Sequence, residues 1–278
     1  MQWPVGIGSR RSNTGLSHLL VGACVDLGGR HVSKQLTMSP WEIGLIPFGL
    51  FLGSVAQRVT GMGGTLVAAP ILVLASGAHV GVTVCLMANV IMSVIIFQRT
   101  WRQVRWRRIP TILVGVLGGS ALGVATAGVL SGPLLQIAIG SMIVFATTLI
   151  AVGWQPRLAR GNVGRVAAGG ASGFINVLSG SGGPPLAIHA MADRWKHSEF
   201  VSTIQVVMIA SALLAISLRQ PVSLPPWLWL LIVGSVLLGL ALGSTAAQRI
   251  SPKASRHLVV VIAIGGGVAI IWKNVMSL

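Results

Sequence analysis

The 278-residue sequence is strongly apolar: 53% of its residues are hydrophobic, 9% are charged, and its mean hydropathy is +0.83. Soluble globular domains have about 25% charged residues, so the composition excludes that class and predicts an integral membrane protein. A net charge of +16 would indicate nucleic-acid binding on a soluble domain. Here the basic residues fall mostly between apolar runs, where they act as topology signals facing anionic lipid, and no nucleic-acid partner is predicted.

Residues 1–40 differ from the rest and are predicted to be an N-terminal extension that is either untranslated or disordered. Their one apolar stretch, GLSHLLVGAC, is too short and too polar to span a bilayer. The membrane pattern begins in MSPWEIGLIPFG, which indicates Met38 as an alternative translation start. A native protein whose intact mass includes residues 1–37 would contradict that start.

From Ile43 onward the apolar runs form two sets of five. An offset of 119 places Thr60 on Ser179, and an offset of 120 places Gly119 on Gly239. The sequence therefore predicts one fold used twice, with a first repeat at 41–153, a linker at 154–165 and a second repeat at 166–278. The runs are Ile43–Val59, Leu66–Ser76, Val80–Phe97, Ile109–Leu130 and Leu134–Gly153, then Val166–Leu178, Leu186–Met191, Val201–Leu218, Trp227–Ala247 and Leu258–Trp272.

Basic residues predict opposite orientations for the two repeats. Arginines follow the third run of the first set and fill the linker, so the positive-inside rule assigns both to the cytoplasm. In the second set Arg219 alone follows the third run, and the basic residues lie between the fourth and fifth runs instead. Inverted repeats are a common plan of secondary transporters.

The predicted fold class is therefore an all-α integral membrane protein of the cell inner (plasma) membrane. It is a polytopic helix bundle of two inverted repeats with about 8–10 hydrophobic segments. The short runs Leu66–Ser76 and Leu186–Met191 either span the bilayer or are broken, re-entrant helices; the sequence leaves both possibilities open.

Two glycine-rich breaks interrupt the apolar runs at equivalent positions: residues 59–71 read VTGMGGTLVAAPI and residues 178–190 read LSGSGGPPLAIHA. A helix interrupted in hydrocarbon leaves backbone groups without partners, so a break is tolerated where it lines a cavity or binds a ligand. Glycines allow N–H groups to converge, and the short runs that follow present helix N-termini.

The pair of breaks therefore predicts a site for a small anion. The alternative is close helix packing by small residues, which is the role expected of Gly115, Gly119 and Gly123. The predicted substrate ligands are Thr60, Gly61, Gly63, Gly64 and Thr65 in the first break, and Ser179, Gly180, Ser181, Gly182 and Gly183 in the second.

Four more polar residues are assigned to the same site. Gln57 and Asn176 precede the two breaks at equivalent positions. Asn89 is either a ligand or an interhelical hydrogen-bonding residue. His189 either exchanges a proton during transport or donates to a carbonyl group freed by the neighbouring break. Gln205, near the start of its run, is expected to lie at the membrane interface.

Other chemistry is not indicated. Arg58 precedes the first break, where it either pairs with an anion or extends to the interface. The two cysteines are far apart and predict neither a disulfide nor a zinc site. No cofactor, metal or catalytic residue is predicted.

The motifs GMGGTLVAAPIL and SGSGGPPLAIHAMA resemble the signature segments of the sulfite exporter TauE/SafE family of membrane permeases. The resemblance extends through RWRR and HSEFVSTIQVV and covers about residues 41–276. It implies a transporter of sulfite, sulfonates or related small sulfur-containing anions, without enzymatic activity. Thr65, Pro184-Pro185 and His189 depart from the family pattern and bear on the substrate rather than on the fold.

The leading functional hypothesis is a permease for a small anion that works by alternating access. A passive channel would use the same pore residues. An intramembrane enzyme is disfavoured, because Ser179 and Ser181 have only His189 within reach in the sequence. The predicted partners are the anion and the lipid bilayer, and the oligomeric state is left open.

Overall fold

The computed structural model describes residues 40–130, 132–219, 221–249 and 252–276, and these residues form nine α-helices. The predicted N-terminal extension, apart from Pro40, and the alternative start at Met38 lie outside the described residues. The helices are α1 Pro40–Thr60, α2 Gly64–Thr100, α3 Ile109–Val129, α4 Gly132–Val152, α5 Gly161–Ser179, α6 Gly183–Ala192, α7 His197–Ser217, α8 Pro226–Arg249 and α9 Pro252–Val275.

The helices follow the predicted apolar runs, although several begin earlier, including α7 at His197 before Val201 and α9 at Pro252 before Leu258. α2 joins the second and third runs and bends between them at Gly77, where φ is 78° and ψ is 172°. α5 begins at Gly161, inside the predicted linker. α6 begins at Gly183, before the predicted run, because Pro184 and Pro185 suit a first helical turn in which N–H groups have no intrahelical partner.

Seven helices in the described part of the chain are long and apolar enough to cross a membrane, which confirms an all-α polytopic membrane protein. α6 has 10 residues and is about 15 Å long at about 1.5 Å per residue. The first arm of α2, residues 64–76, is similarly short at about 20 Å. The hydrocarbon core is about 30 Å thick, so neither of the two short runs is long enough to span it.

Helices of one repeat pack against helices of the other, in pairs that map onto each other when the two repeats are interchanged; these are called exchanged pairs below. α1 packs along α8 and α3 packs along α5, while α2 packs on α7 and α4 on α9. Under the sequence offsets, α1 corresponds to α5, α3 to α8, and α4 to α9. Exchanging the repeats therefore leaves the packing pattern unchanged, as a pseudo-two-fold axis requires. Residues of α2 form much of the core, including Val82, Leu86 and Met92, which are fully buried.

Glycines bring the exchanged pairs together at equivalent points. A Cβ atom on Gly239 of α8 would lie 2.6 Å from the carbonyl oxygen of Phe51 in α1. A Cβ atom on Gly119 of α3 would overlap the carbonyl oxygen of Gly170 in α5. Gly119 and Gly239 are related by the offset of 120, and Phe51 and Gly170 by the offset of 119. The close-packing role expected of Gly119 therefore fits the observed contacts, and it recurs in the second repeat.

We expect Gly119→Ala to destabilise the protein by about 1–3 kcal/mol, because overpacking a close helix contact forces the backbones apart. The matched control is Gly118→Ala in the same helix, where a Cβ atom would meet nothing within 4 Å. Thermal unfolding of the two purified variants in detergent measures the difference. Equal melting temperatures for both variants would contradict the exchanged packing of α3 on α5.

Candidate functional site

The first break is a three-residue turn between α1 and α2. The N–H of Gly61 donates to the carbonyl oxygen of Gln57 at 2.8 Å and closes the last turn of α1. Gly61 then adopts a φ of +84°, a conformation that glycine reaches without steric cost. A Cβ atom at Gly61 would also lie 2.7 Å from the side chain of Val201. The chain therefore reverses here because residue 61 is glycine.

Side chains at the end of α1 cap the start of α2. The hydroxyl of Thr60 accepts from the N–H of Gly63, and the side-chain oxygen of Gln57 accepts from the N–H of Gly64, each at 2.9 Å. The side-chain amide of Gln205 in α7 donates to the carbonyl oxygen of Gly61 at 3.1 Å. These bonds satisfy backbone groups that the break would leave without partners.

The second break repeats this turn with different side chains. Gly180 has a φ of +70° and donates to the carbonyl oxygen of Asn176 at 2.9 Å. The side-chain oxygen of Asn176 accepts from the N–H of Gly182 at 3.2 Å. The hydroxyl of Ser172 donates to the carbonyl oxygen of Gly182 at 2.6 Å. Asn176 is one methylene shorter than Gln57 and caps the residue equivalent to Gly63 rather than to Gly64.

The two breaks touch each other. The hydroxyl of Ser181 in the second break donates to the carbonyl oxygen of Thr65 at 3.0 Å. A Cβ atom on Gly183 would lie 3.4 Å from the carbonyl oxygen of Met62, which is ordinary contact. The N-termini of α2 and α6 therefore begin side by side, in a region that is buried on both sides of the contact.

Some backbone donors at the breaks remain open. Within the described residues, the N–H groups of Met62, Thr65 and Ser181 form no hydrogen bond. Each helix N-terminus also carries about half a positive charge from its dipole. Open donors at two adjoining positive helix ends are suited to a small anion.

A cavity of about 440 Å³ reaches the first break. The side chain of Thr147, in α4, also lines this cavity; it is 1% exposed, and its hydroxyl has no partner in the described part of the protein. Most of the remaining wall is apolar. The cavity is lined by Val59, Thr60, Met62, Gly63, Leu66, Thr147, Ile150, Ala187, Ala190, Met191, Trp195, His197, Phe200, Val259 and Val260.

Gln57 and Asn176 lie at the breaks, but they act as caps rather than as cavity walls. Besides their bonds to the breaks, the Asn176 amide donates to the hydroxyl of Ser211 at 2.8 Å. Asn89 is 2% exposed. Its oxygen accepts from Ser93 at 3.3 Å, while its nitrogen has no partner in the described part of the protein.

His189 does not join the breaks. Its Nδ1–H donates to the carbonyl oxygen of Ala159 at 2.6 Å, and its ring packs edge to face on Trp195. The expectation that it bonds to a carbonyl group of the neighbouring break was therefore wrong: the acceptor belongs to the linker before α5. Donation to a backbone carbonyl oxygen fits a structural role for His189 rather than proton exchange, because that oxygen fixes the proton on Nδ1.

Three contributors escaped the sequence analysis. Gln205 was expected at the interface, but it is fully buried against the first break. Arg219, treated only as a topology signal, donates to the carbonyl oxygen of Val177 just before the second break at 2.6 Å. Of the three residues, only Gln205 could have been found from the sequence, because a glutamine within an apolar run is unusual. Thr147 gave no signal, because a helical threonine commonly bonds to its own helix, as Thr148 does.

A polar cluster joins the α6–α7 turn to the start of α3 and to the linker. The Asp193 carboxylate accepts from Arg108, Trp195 and the N–H of Gly161. Burial alone raises the pKa of Asp193, but these hydrogen bonds and the neighbouring positive charge of Arg108 hold it below its usual value. Arg105 forms a second ion pair with Glu199.

This architecture defines a class: a multi-pass membrane protein with a repeated helix set whose interrupted helices meet in its interior, as in secondary transporters. The chain belongs to the sulfite exporter TauE/SafE family, whose model matches residues 45–270. The protein is therefore a membrane transporter, and the family resemblance of its motifs is confirmed.

A relative extends the comparison. The chain is 28% identical over 189 residues to a protein of Comamonas testosteroni named "Probable inner membrane transporter protein TsaS"; the match covers 62% of this chain and 76% of that protein. No solved structure matches the chain.

We expect Gln205→Leu to lower stability by about 1–3 kcal/mol, because it leaves the carbonyl oxygen of Gly61 buried without a donor. Gln98→Leu, at an exposed position of α2, is the control. The readout is the melting temperature of each purified variant. A Gln205→Leu protein as stable as the control would show that the first break does not depend on this bond.

Asp193 gives a prediction about pH. Because its pKa is lowered in the folded protein, its contribution to stability is present above the unfolded value of about 3.9 and is lost as the pH falls through the folded value. The wild type should therefore be more stable than Asp193→Asn near neutral pH, and the gap should close in acid. Melting curves of both proteins across the acidic range measure this. A gap that does not change with pH would contradict the ion-paired cluster.

Proposed function

We propose that the protein is a permease for a small sulfur-containing anion that binds where the two glycine breaks meet. One observation carries the proposal. The first break and Thr147 border the same cavity, of about 440 Å³, and the buried hydroxyl of Thr147 has no partner among the described residues. Open space therefore lies next to backbone donors at a positive helix end and next to a hydroxyl group that a ligand can engage. These are the features with which a membrane protein replaces the hydration shell of an anion.

The charges around the breaks support an anionic rather than a cationic substrate. The described carboxylates, Asp193 and Glu199, are both engaged by arginines of the loop before α3. No acidic side chain among the described residues lines the cavity. The N–H group of Met62 and the dipole of α2 therefore meet no negative side-chain charge in the cavity wall among the described residues.

The cavity walls favour an anion that carries an organic group. Met62, Leu66, Ile150 and Phe200 present apolar surface to the cavity, and its polar groups lie chiefly near the break and at Thr147. Apolar walls with a few convergent polar groups are typical of sites for organic ligands. We therefore infer a sulfonate, with its charged end at the break, as a better ligand than bare sulfite.

Alternating access is supported by a difference between the two halves. Residues related by the repeat to the walls of the cavity include Leu72, Ile139 and Ile270, and these three are fully buried. In that region a Cβ atom on Gly140 of α4 would lie 2.7 Å from the carbonyl oxygen of Gly267 in α9. The cavity therefore lies beside one break, while the equivalent region of the other repeat is closely packed at these positions. Exchanging these two states would carry the site from one side to the other.

The basic loops indicate the side on which the cavity lies. It extends to Trp195 and His197, next to the ion pair between Arg108 and Asp193. Under the positive-inside rule this is the cytoplasmic side. We infer that the structure is the inward-facing state of an inner-membrane transporter, a location that the name of the relative from Comamonas testosteroni also supports.

Hydrogen bonding around the two serines disfavours an enzyme. The hydroxyl of Ser179 donates to Ile175 and that of Ser181 to Thr65, both to carbonyl oxygens. The described bond of His189 goes to Ala159 instead. A serine nucleophile needs a base within hydrogen-bonding distance, and His189 forms no such bond.

Transport by purified protein in liposomes tests the proposal. We expect saturable uptake of radiolabelled sulfonate, with taurine, sulfoacetate and benzenesulfonate compared against sulfite. Thr147→Val and Gly183→Ala should each lower uptake at low substrate concentration by roughly tenfold, since the first removes a hydrogen bond to the anion and the second places a methyl group between the two breaks, beside Met62. The fold should tolerate the second change, since a methyl group added at Gly183 would make only ordinary contacts.

The controls are Thr148→Val, an exposed neighbour of Thr147, and Gly234→Ala, where a Cβ atom meets nothing within 4 Å. Both should transport like the wild type. Absence of saturable uptake with every sulfur compound would refute the substrate class. Unsaturable, voltage-driven current would favour a channel, and equal losses in variants and controls would refute the site.

A further inference from the structure

A second cavity lies away from the glycine breaks, between α1, α2 and α8. It has a volume of about 280 Å³ and two arginines in its wall, Arg58 of α1 and Arg99 of α2. The remaining wall includes Ser244 and is otherwise aliphatic. This cavity shares no lining residue with the cavity at the first break.

Neither arginine is neutralised within the described part of the chain. Arg58 and Arg99 form no hydrogen bond or ion pair there, and the described carboxylates, Asp193 and Glu199, are paired with Arg108 and Arg105. Arg58 is partly buried and Arg99 is exposed, and two positive charges that line one small cavity repel each other. An anion bound between them would relieve the repulsion.

The helix packing brings Arg58 to this position. A Cβ atom on Gly243 of α8 would lie 2.8 Å from the Cβ atom of Arg58. A glycine is therefore needed where the arginine stem passes α8.

Comparison of the two repeats indicates that the arginines are not required for packing. The offset of 119 places Arg58 on Val177 and Arg99 on Leu218. In the second repeat one arginine, Arg219, lies beside these positions, and it donates to the carbonyl oxygen of Val177. A pair of arginines facing one cavity is therefore a feature of the first repeat and not of the equivalent positions in the second.

We propose that Arg58 and Arg99 form a binding site for a tetrahedral oxyanion group, a phosphate or a sulfonate. The planar guanidinium group presents paired donors that match the oxygens of such an anion. The phosphodiester of an anionic lipid is one source, because Leu237 in the cavity wall is 48% exposed on α8, a helix long and apolar enough to cross a membrane. A free oxyanion from solution is the other source. This site shares no lining residue with the proposed transport site, so a negative result for one leaves the proposal for the other unchanged.

The test uses the full-length protein purified in detergent, with two probes. Native mass spectrometry with added phosphatidylglycerol counts retained lipid molecules, and equilibrium dialysis with radiolabelled inorganic phosphate measures free-anion binding. We expect one molecule per protein with at least one probe. The double variant Arg58→Gln/Arg99→Gln should weaken that binding at least tenfold.

A matched control removes the same charge elsewhere. Arg107→Gln/Arg157→Gln changes two exposed arginines outside the cavity and should bind like the wild type. Arg58→Lys/Arg99→Lys keeps the charge without the planar donors and should give intermediate binding. Lipid retention without phosphate binding would identify the lipid as the source, and the reverse would identify the free ion. Failure of both probes to bind the wild type, or equal loss in the double variant and the control, would overturn the proposal.

Discussion

The structure depends on how the peptide groups at two helix interruptions find partners inside a membrane. Hydrocarbon offers no hydrogen bonds, so each freed N–H or C=O group must be paired by protein or by a ligand. Gln57 and Asn176 meet part of this requirement from the end of each preceding helix, and Gln205 and Arg219 meet another part from α7 and the residues after it. The few donors that stay open are then the natural contacts for a ligand.

The repeat explains why the interruptions lie together, and its divergence explains why they differ. Gly61 packs against Val201 and Gly180 packs against Val82, two contacts related by the same offset of 119. At the caps the symmetry is broken by one methylene group, because glutamine in one half corresponds to asparagine in the other. The donors left open therefore differ between the two breaks. A site formed by two similar but unequal ends can hold an asymmetric ligand, with its charge toward one end.

The sequence predicted the helices well because their signals are local. The apolar runs located the helices, although α5, α7 and α9 each begin several residues before the predicted run, and α2 joins two runs that were predicted as separate. Basic loops and the repeat offset predicted two sets of helices, although the sequence could not show that α1 packs on α8 and α3 on α5. The candidate site was predicted only in outline. Its ligands remain a prediction.

What escaped prediction depends on contacts between distant parts of the chain. The partner of His189 lies 30 residues away in the linker, and Gln205 reaches a carbonyl group 144 residues away. No spacing rule encodes such pairs, because they arise only once the helices have packed. Thr147 illustrates the opposite case, since its hydroxyl is notable for lacking a partner among the described residues, and an absence of bonding leaves no mark on the sequence.

The packing of α4 on α9 is the remaining link between the fold and transport. These two helices correspond under the repeat, and they pack on each other where α1 and α3 pack on helices that are not their counterparts. Thr147 of α4 and Val259 of α9 border the cavity, whereas Ile139 and Ile270 of the same pair are fully buried. Under the alternating access proposed above, a tilt of this pair would open one region as it closes the other, while the hydrogen-bonded breaks stay fixed. Gly140 and Gly267 let the two backbones approach closely at this contact, so such a movement would have to be accommodated by the side chains packed beside them, including Val144 and Ile271.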